Sequence, residues 1–109
     1  MTWRRNGKYN AKKTEVDGII FDSKGEAGLY KDLQMLLNAG LIEKVERQVP
    51  FKLYAGIKYV ADFVVTVKGS KRVLDFKGIF TPEFRLKKKL FEADHGKLEV
   101  VTTESGWKP

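Results

Sequence analysis

Hydrophobic residues recur along this chain in two rhythms, every three to four positions in some stretches and every second position in others. Leu29, Leu33, Leu36 and Leu37 keep helical spacing, Ser23 stands where an N-cap belongs and Gly40 where a helix stops, which predicts a helix over residues 24–39. A short apolar piece, Val16-Asp17-Gly18-Ile19-Ile20-Phe21, leads into it. After Leu41-Ile42 the pattern takes on strand character. Residues 45–53 read as a strand broken by Pro50, the sign of a sheet edge or a bulge. A turn at Ala55-Gly56 leads to a second strand over 58–67, and Lys68-Gly69-Ser70-Lys71 makes a hairpin into a third over 72–77. Thr81-Pro82 has the chemistry of an N-cap followed by a first helical residue. The second helix is expected to run to residue 93 or 94, with Phe84, Leu86, Leu90 and Phe91 inward and Gly96 ending it. A last strand covers 98–102. The order α-β-β-β-α-β predicts an α/β fold, a small mixed β-sheet flanked by helices. Its third and last strands, joined across a helix, should be parallel neighbours.

Two acids break the apolar pattern of the strands. Asp62 sits inside Tyr59-Val60-Ala61-Asp62-Phe63-Val64-Val65, and Asp75 belongs to the triplet Asp75-Phe76-Lys77. Alternation puts Asp75 and Lys77 on one face of their strand and Leu74 and Phe76 on the other. A carboxylate alone in such a place is costly unless it meets a cation. On adjacent antiparallel strands Asp62 and Asp75 could share one hard divalent ion, Mg2+ or Mn2+. Lys77 admits two roles: a salt bridge to one of the aspartates, or a cation that orients a water and steadies charge on a phosphate. Glu26 also admits two. Ser23-Lys24-Gly25-Glu26 fits a capping box, which would occupy the glutamate with the Ser23 N–H, and the same residue could reach the metal.

Charge indicates what such a site would act on. The 109 residues carry 21 Lys and Arg against 14 Asp and Glu, a net charge of +7. Arg4, Arg5, Lys8, Lys12 and Lys13 crowd the first 13 residues with no acid among them. Lys68, Lys71, Arg72, Arg85, Lys87, Lys88 and Lys89 flank the Asp75 triplet. Basic stripes around carboxylates point to a polyanion, nucleic acid being the usual one. Arg85, Lys87, Lys88 and Lys89 are expected to contact phosphates, with Lys88 aimed differently from Arg85 and Lys89 by helical spacing. Residues 1–13 read as a basic flexible arm, in which Trp3, Arg4 and Arg5 either grip DNA or merely keep the chain soluble.

The remaining classes are poorly supplied. There is no cysteine, so no disulfide framework or thiolate zinc site, and the single histidine, His95, is too little for an HNH-type nuclease. No Gly-x-x-x-x-Gly-Lys loop is present for a nucleotide cofactor. No signal-peptide pattern or membrane-length apolar run is seen, so an intracellular protein is expected.

An acid on the first helix, Asp on a strand, Asp-x-Lys on the next, then helix and strand: this arrangement resembles the PD-(D/E)XK nuclease superfamily, with Ala61 in place of the signature proline. The segments around Lys12-Lys13-Thr14-Glu15-Val16-Asp17-Gly18-Ile19, Phe21-Asp22-Ser23-Lys24 with Glu26-Ala27, Tyr59-x-Ala61-Asp62-Phe63, Asp75-x-Lys77-Gly78 and Leu86-Lys87-x-Lys89 are similar to a family of small phage and prophage proteins. In size and layout these are similar to Holliday-junction resolvases. The resemblance implies a restriction-endonuclease-like core in residues 14–109, acting on branched DNA as a homodimer. It implies phosphodiester hydrolysis with Mg2+ held by Asp62, Asp75, Glu26 and the Phe76 carbonyl, Lys77 positioning the water, and a place in phage recombination or replication within the bacterial host cytoplasm.

Overall fold

The computed structural model describes residues 13–109. It begins with an antiparallel hairpin, β1 (Thr14–Val16) and β2 (Ile19–Phe21), joined by Asp17-Gly18 with both residues at positive φ, 55° and 78°. That turn chemistry matches the right-handed twist of a two-residue hairpin. The sequence pattern had indicated only an apolar lead-in here.

Helix α1 (Lys24–Asn38) follows, its first turn capped by Ser23 Oγ, which accepts the Glu26 N–H at 3.0 Å. It ends in a Schellman arrangement around Gly40 at φ 77°: Gly40 N–H donates to Leu37 O at 3.1 Å and Leu41 N–H to Leu36 O at 3.0 Å. A four-stranded sheet in the order β3-β4-β5-β6 forms the centre, from β3 (Lys44–Lys52), β4 (Lys58–Val67), β5 (Ser70–Phe76) and β6 (Leu98–Val101). The first three run antiparallel, and β5 and β6 are parallel across α2 (Pro82–His95), as the spacing predicts. Pro50 lies on β3, an edge strand, where a missing N–H costs no central ladder bond. Lys68-Gly69, at φ 51° and 81°, turns β4 into β5.

The two helices cover opposite faces. Phe21, Leu29, Leu33, Phe63, Val65 and Leu74 form one buried cluster under α1, and Tyr59, Ala61, Phe84, Phe91 and Leu98 form another under α2. Leu86, expected inward, is instead 58% exposed, because α2 buries only the stripe through Phe84 and Phe91.

The alternation of β4 reverses at one point. Tyr59 and Ala61 pack under α2, yet Phe63 and Val65, of the same parity, pack under α1. Register is kept throughout, Arg47 opposite Phe63 and Val49 opposite Ala61, but Gln48 and Asp62 between them do not pair, and Gln48 has φ 51°. Both strands turn over there, and the β4–β5 ladder begins only at Phe63. The sheet therefore opens at Asp62.

The C-terminal segment is tied back to the sheet. Arg72 grips Glu99 through two bonds of 2.7 and 2.8 Å, Trp107 Nε1–H donates to the same carboxylate at 3.1 Å, and the Arg72 guanidinium lies 4.6 Å from the Trp107 ring centroid. The Arg72 bonds hold Glu99 below the usual carboxylate range, against burial, and Trp107 adds to the effect. A group whose folded pKa is depressed adds stability above its unfolded pKa, and the gain disappears as pH falls through the folded value. Glu99→Gln is accordingly expected to lower the unfolding free energy by about 1 kcal/mol at neutral pH. The gap to the wild type should close below the carboxylate range, read from urea melts at several pH values.

Candidate active site in the opening of the sheet

Where the ladder opens, carboxylates take over the work of backbone carbonyls. Asp62 N–H donates to Asp75 Oδ1 at 2.9 Å, and Phe76 N–H donates to Asp62 Oδ2 at 2.8 Å. The two aspartates thus lace β4 to β5 across the gap. Asp75 is 2% exposed; its other oxygen, Oδ2, accepts the Tyr59 hydroxyl at 2.5 Å and faces Lys77 Nζ at 3.3 Å. Three of its four lone-pair directions are taken, leaving one on Oδ1. Lys77, just past the end of β5, also lies 4.4 Å from the Phe84 ring centroid, so a carboxylate and an aromatic face fix its ammonium.

Glu26 enters from α1. The N-cap half of the capping box is formed, but among the described residues the glutamate does not complete the other half; its Oε2 accepts Gln48 Nε2 at 3.5 Å. Burial, with Asp22 and Asp75 adding repulsion, raises its pKa against the pull of Arg47 and Lys77. Asp62 is raised as well, first by burial and then by the charges of Asp75 and Glu26, with the Phe76 N–H and Lys77 opposing. The three acids and Lys77 therefore act on one another as a single electrostatic unit. Asp62 Oδ1 and Glu26 Oε1 hold no hydrogen bond among the described residues.

This surplus of acid is of a kind that a hard cation would relieve. The donors fit Mg2+ or Mn2+ in kind, oxygen atoms whose mutual repulsion a divalent ion would relieve. Among the described residues, no three His, Cys, Asp or Glu side chains already stand in a ligating arrangement. The fit is thus one of donor type and charge.

Asp22, Ser23, Glu26, Asp62, Phe76 and Lys77 line an open cleft of about 870 Å3, and Lys13 is also on its wall. Lys13 pairs with Asp22 at 3.3 Å, with both side chains largely in water. On α2, Lys87 pairs with Glu83 at 3.4 Å and Lys88 with Glu92 at 3.2 Å, while Arg85 and Lys89 are exposed. Glu92 also accepts the Leu98 N–H, which commits Lys88 to a structural network. Arg4, Arg5 and Lys12 lie outside the described residues.

Two neighbours of the site went unread in the sequence. Gln48 comes within reach of Glu26 because its backbone is left-handed, a state no residue type at that position announces. Tyr59 had a signal, an aromatic hydroxyl three positions before the strand aspartate, but the buried bond to Asp75 spans 16 residues. Burial and the bond to Asp75 push the Tyr59 phenol well above its ordinary pKa, so it is a permanent donor. Removing it in Tyr59→Phe is expected to cost about 1.5 kcal/mol of stability, measured by urea unfolding.

Among the described residues, no helix is long and apolar enough to cross a membrane. No curated protein matches the chain. Residues 6–106, nearly the whole length, match the model of a family described as "Protein of unknown function (DUF1064)", and the chain belongs to that family.

Proposed function

We propose that this protein is a divalent-metal-dependent endodeoxyribonuclease that hydrolyses phosphodiester bonds in branched or structured DNA. The observation that carries the reading is the meeting of Glu26, Asp62, Asp75 and Lys77 where β4 and β5 part, with Asp75 buried behind and Glu26, Asp62 and Lys77 on the wall of a cleft that Lys13 also lines. The same four residues on the same succession of elements are what the resemblance to the PD-(D/E)XK nucleases implies.

Asp62, Asp75, Glu26 and the Phe76 carbonyl would hold Mg2+ or Mn2+, which supplies Lewis acidity toward a phosphate oxygen when bound. Lys77 is held between Asp75 and the Phe84 ring, where it orients a water and steadies negative charge growing on the phosphoryl oxygens. Tyr59 and the Asp62 N–H fix the rotamer of Asp75, so the carboxylate is set before substrate arrives. Lys13, Arg85 and Lys89, with Arg4, Arg5 and Lys12, provide phosphate contacts that give affinity with little sequence preference. Symmetric cutting of a branch requires two such sites, hence a homodimer. A phage- or prophage-encoded enzyme in the cytoplasm of a bacterial host completes the reading.

One observation favours a second reading, a non-catalytic DNA-binding module: Asp75 already has three partners within the chain, as a structural network would require. The two separate in one assay, in which linear, flap and four-way-junction DNA are incubated side by side with and without Mg2+. Cleavage that needs the metal supports the nuclease. Salt-sensitive binding with no cleavage of any substrate by Mg2+ or Mn2+ would leave the binding module.

A further inference from the structure

The short loop from Lys77 to α2 borders the cleft, yet none of its apolar side chains has a part in the chemistry above. Gly78, Ile79 and Thr81 line the cleft wall. Ile79 is 50% exposed and Phe80 42%, with Leu86 exposed on the helix that follows. Apolar area gathered at the rim of a charged cleft, beside Lys77 and Arg85, marks a surface that something covers.

Phe80 is held in place. Its ring stands edge-on to Phe84 at 6.0 Å and 73°, and the Arg85 guanidinium lies 5.7 Å from its centroid. Phe84 is itself buried and carries Lys77 against its own ring. The exit of the loop is fixed as well: Thr81 Oγ1 accepts the Phe84 N–H at 3.1 Å and Thr81 O accepts the Arg85 N–H at 3.0 Å. A half-exposed aromatic ring is thus coupled through one buried ring to Lys77, with a cation on each side.

The cations select a partner rich in phosphate, and the apolar ring selects which form of it. Continuous duplex DNA turns sugar and phosphate outward and keeps its base faces stacked, so Ile79 and Phe80 would gain nothing from it. An unstacked base offers a π-face to an aromatic ring, and an open step accepts an apolar wedge. We infer that Ile79 and Phe80 form a stacking wedge for an unpaired or unstacked nucleobase beside the phosphate held near Lys77 and Arg85. Branch points, flaps and frayed ends are then bound in preference to unbroken duplex. The inference rests on the nuclease reading only for where the phosphate lies.

The test reads binding, so it does not depend on cleavage. The full chain is titrated, with Ca2+ in place of Mg2+, into a four-way junction carrying 2-aminopurine at the branch and into a duplex of the same sequence. Wild type should bind the junction more tightly and brighten the probe as its base unstacks. Phe80→Ala should bind the junction on the order of tenfold more weakly, lose the brightening and keep its affinity for duplex, with Ile79→Ser acting the same way and Phe80→Trp retaining both. A thermal melt of each variant confirms folding, which the exposure of both side chains favours. The wedge is overturned if wild type gives no brightening, or if Phe80→Ala keeps the wild-type ratio of junction to duplex affinity. A fall of Phe80→Ala from dimer to monomer with that ratio unchanged also overturns it, and makes the patch a contact between copies. Cleavage in Mg2+ is measured in parallel: brightening without cleavage sinks the nuclease reading alone, and cleavage without brightening sinks the wedge alone.

Discussion

Lys77→Ala should reduce the proposed DNA cleavage at neutral pH by about a thousandfold, the scale on which a lost charge-stabilising donor acts. The fold should stay intact. Lys77 lies past the end of β5, and without it Asp75 still accepts the Tyr59 hydroxyl and the Asp62 N–H. Asp75→Asn should be as inactive and also less stable. An amide at that buried position turns an NH2 toward either Lys77 or the Asp62 N–H, donor against donor, at a cost of about 1–3 kcal/mol. The pair of variants therefore separates chemistry from folding. Single-turnover cleavage of a four-way junction reads the first, and urea unfolding the second. Lys77→Ala enzyme within tenfold of wild type would remove the lysine from the mechanism. Lys77→Arg is a further control, since a planar guanidinium in place of a compact ammonium does not reproduce the contact with both Asp75 and Phe84.

How much of this could be read from the sequence divides along contact range. Ser23, Gly40, Lys68-Gly69 and Thr81-Pro82 announce themselves because capping and turn chemistry is settled within four residues. The parallel pairing of β5 with β6 follows from the helix between them. The Asp17-Gly18 hairpin carried an equally local signal, and reading the segment as an apolar lead-in overlooked it. What strand parity could not give is the reversal at Asp62. Strict alternation puts Ala61 and Phe63 on one face, whereas they pack under different helices. That reversal depends on a left-handed Gln48 across the ladder and on carboxylates substituting for backbone bonds, and only tertiary structure decides either. The choice between capping and site for Glu26 was open for the same reason. Ser23 completes its half locally, while the glutamate's own partner is 22 residues away.

The position that joins fold most directly to site is Gly25. It is the second residue of α1, and a Cβ added there would overlap the ring of Phe76. A side chain at this point in a helix would ordinarily help, by about 1 kcal/mol for alanine, because glycine is a poor helix former. Steric overlap dominates here. Phe76 packs against the cluster under α1, and its N–H holds Asp62 in place. To admit a larger residue, either the ring leaves its packing or α1 lifts from the sheet and carries Glu26 with it. Gly25→Val, with a branched side chain, is expected to lose about 3 kcal/mol, at the upper end of ordinary overpacking. For a domain of this size that is a fall in melting temperature of about 15 °C. The proposed cleavage, measured at a temperature where the variant is still folded, should also fall, by at least tenfold, because either movement disturbs a carboxylate of the site. Pairing Gly25→Val with Phe76→Ala tests the cause. If overlap with the ring is the reason, the double variant should be less destabilised than the sum of its parts, with a coupling of about 1–3 kcal/mol between neighbours. Simple additivity would mean that the close packing of α1 on β5 is not what sets the geometry of the acids.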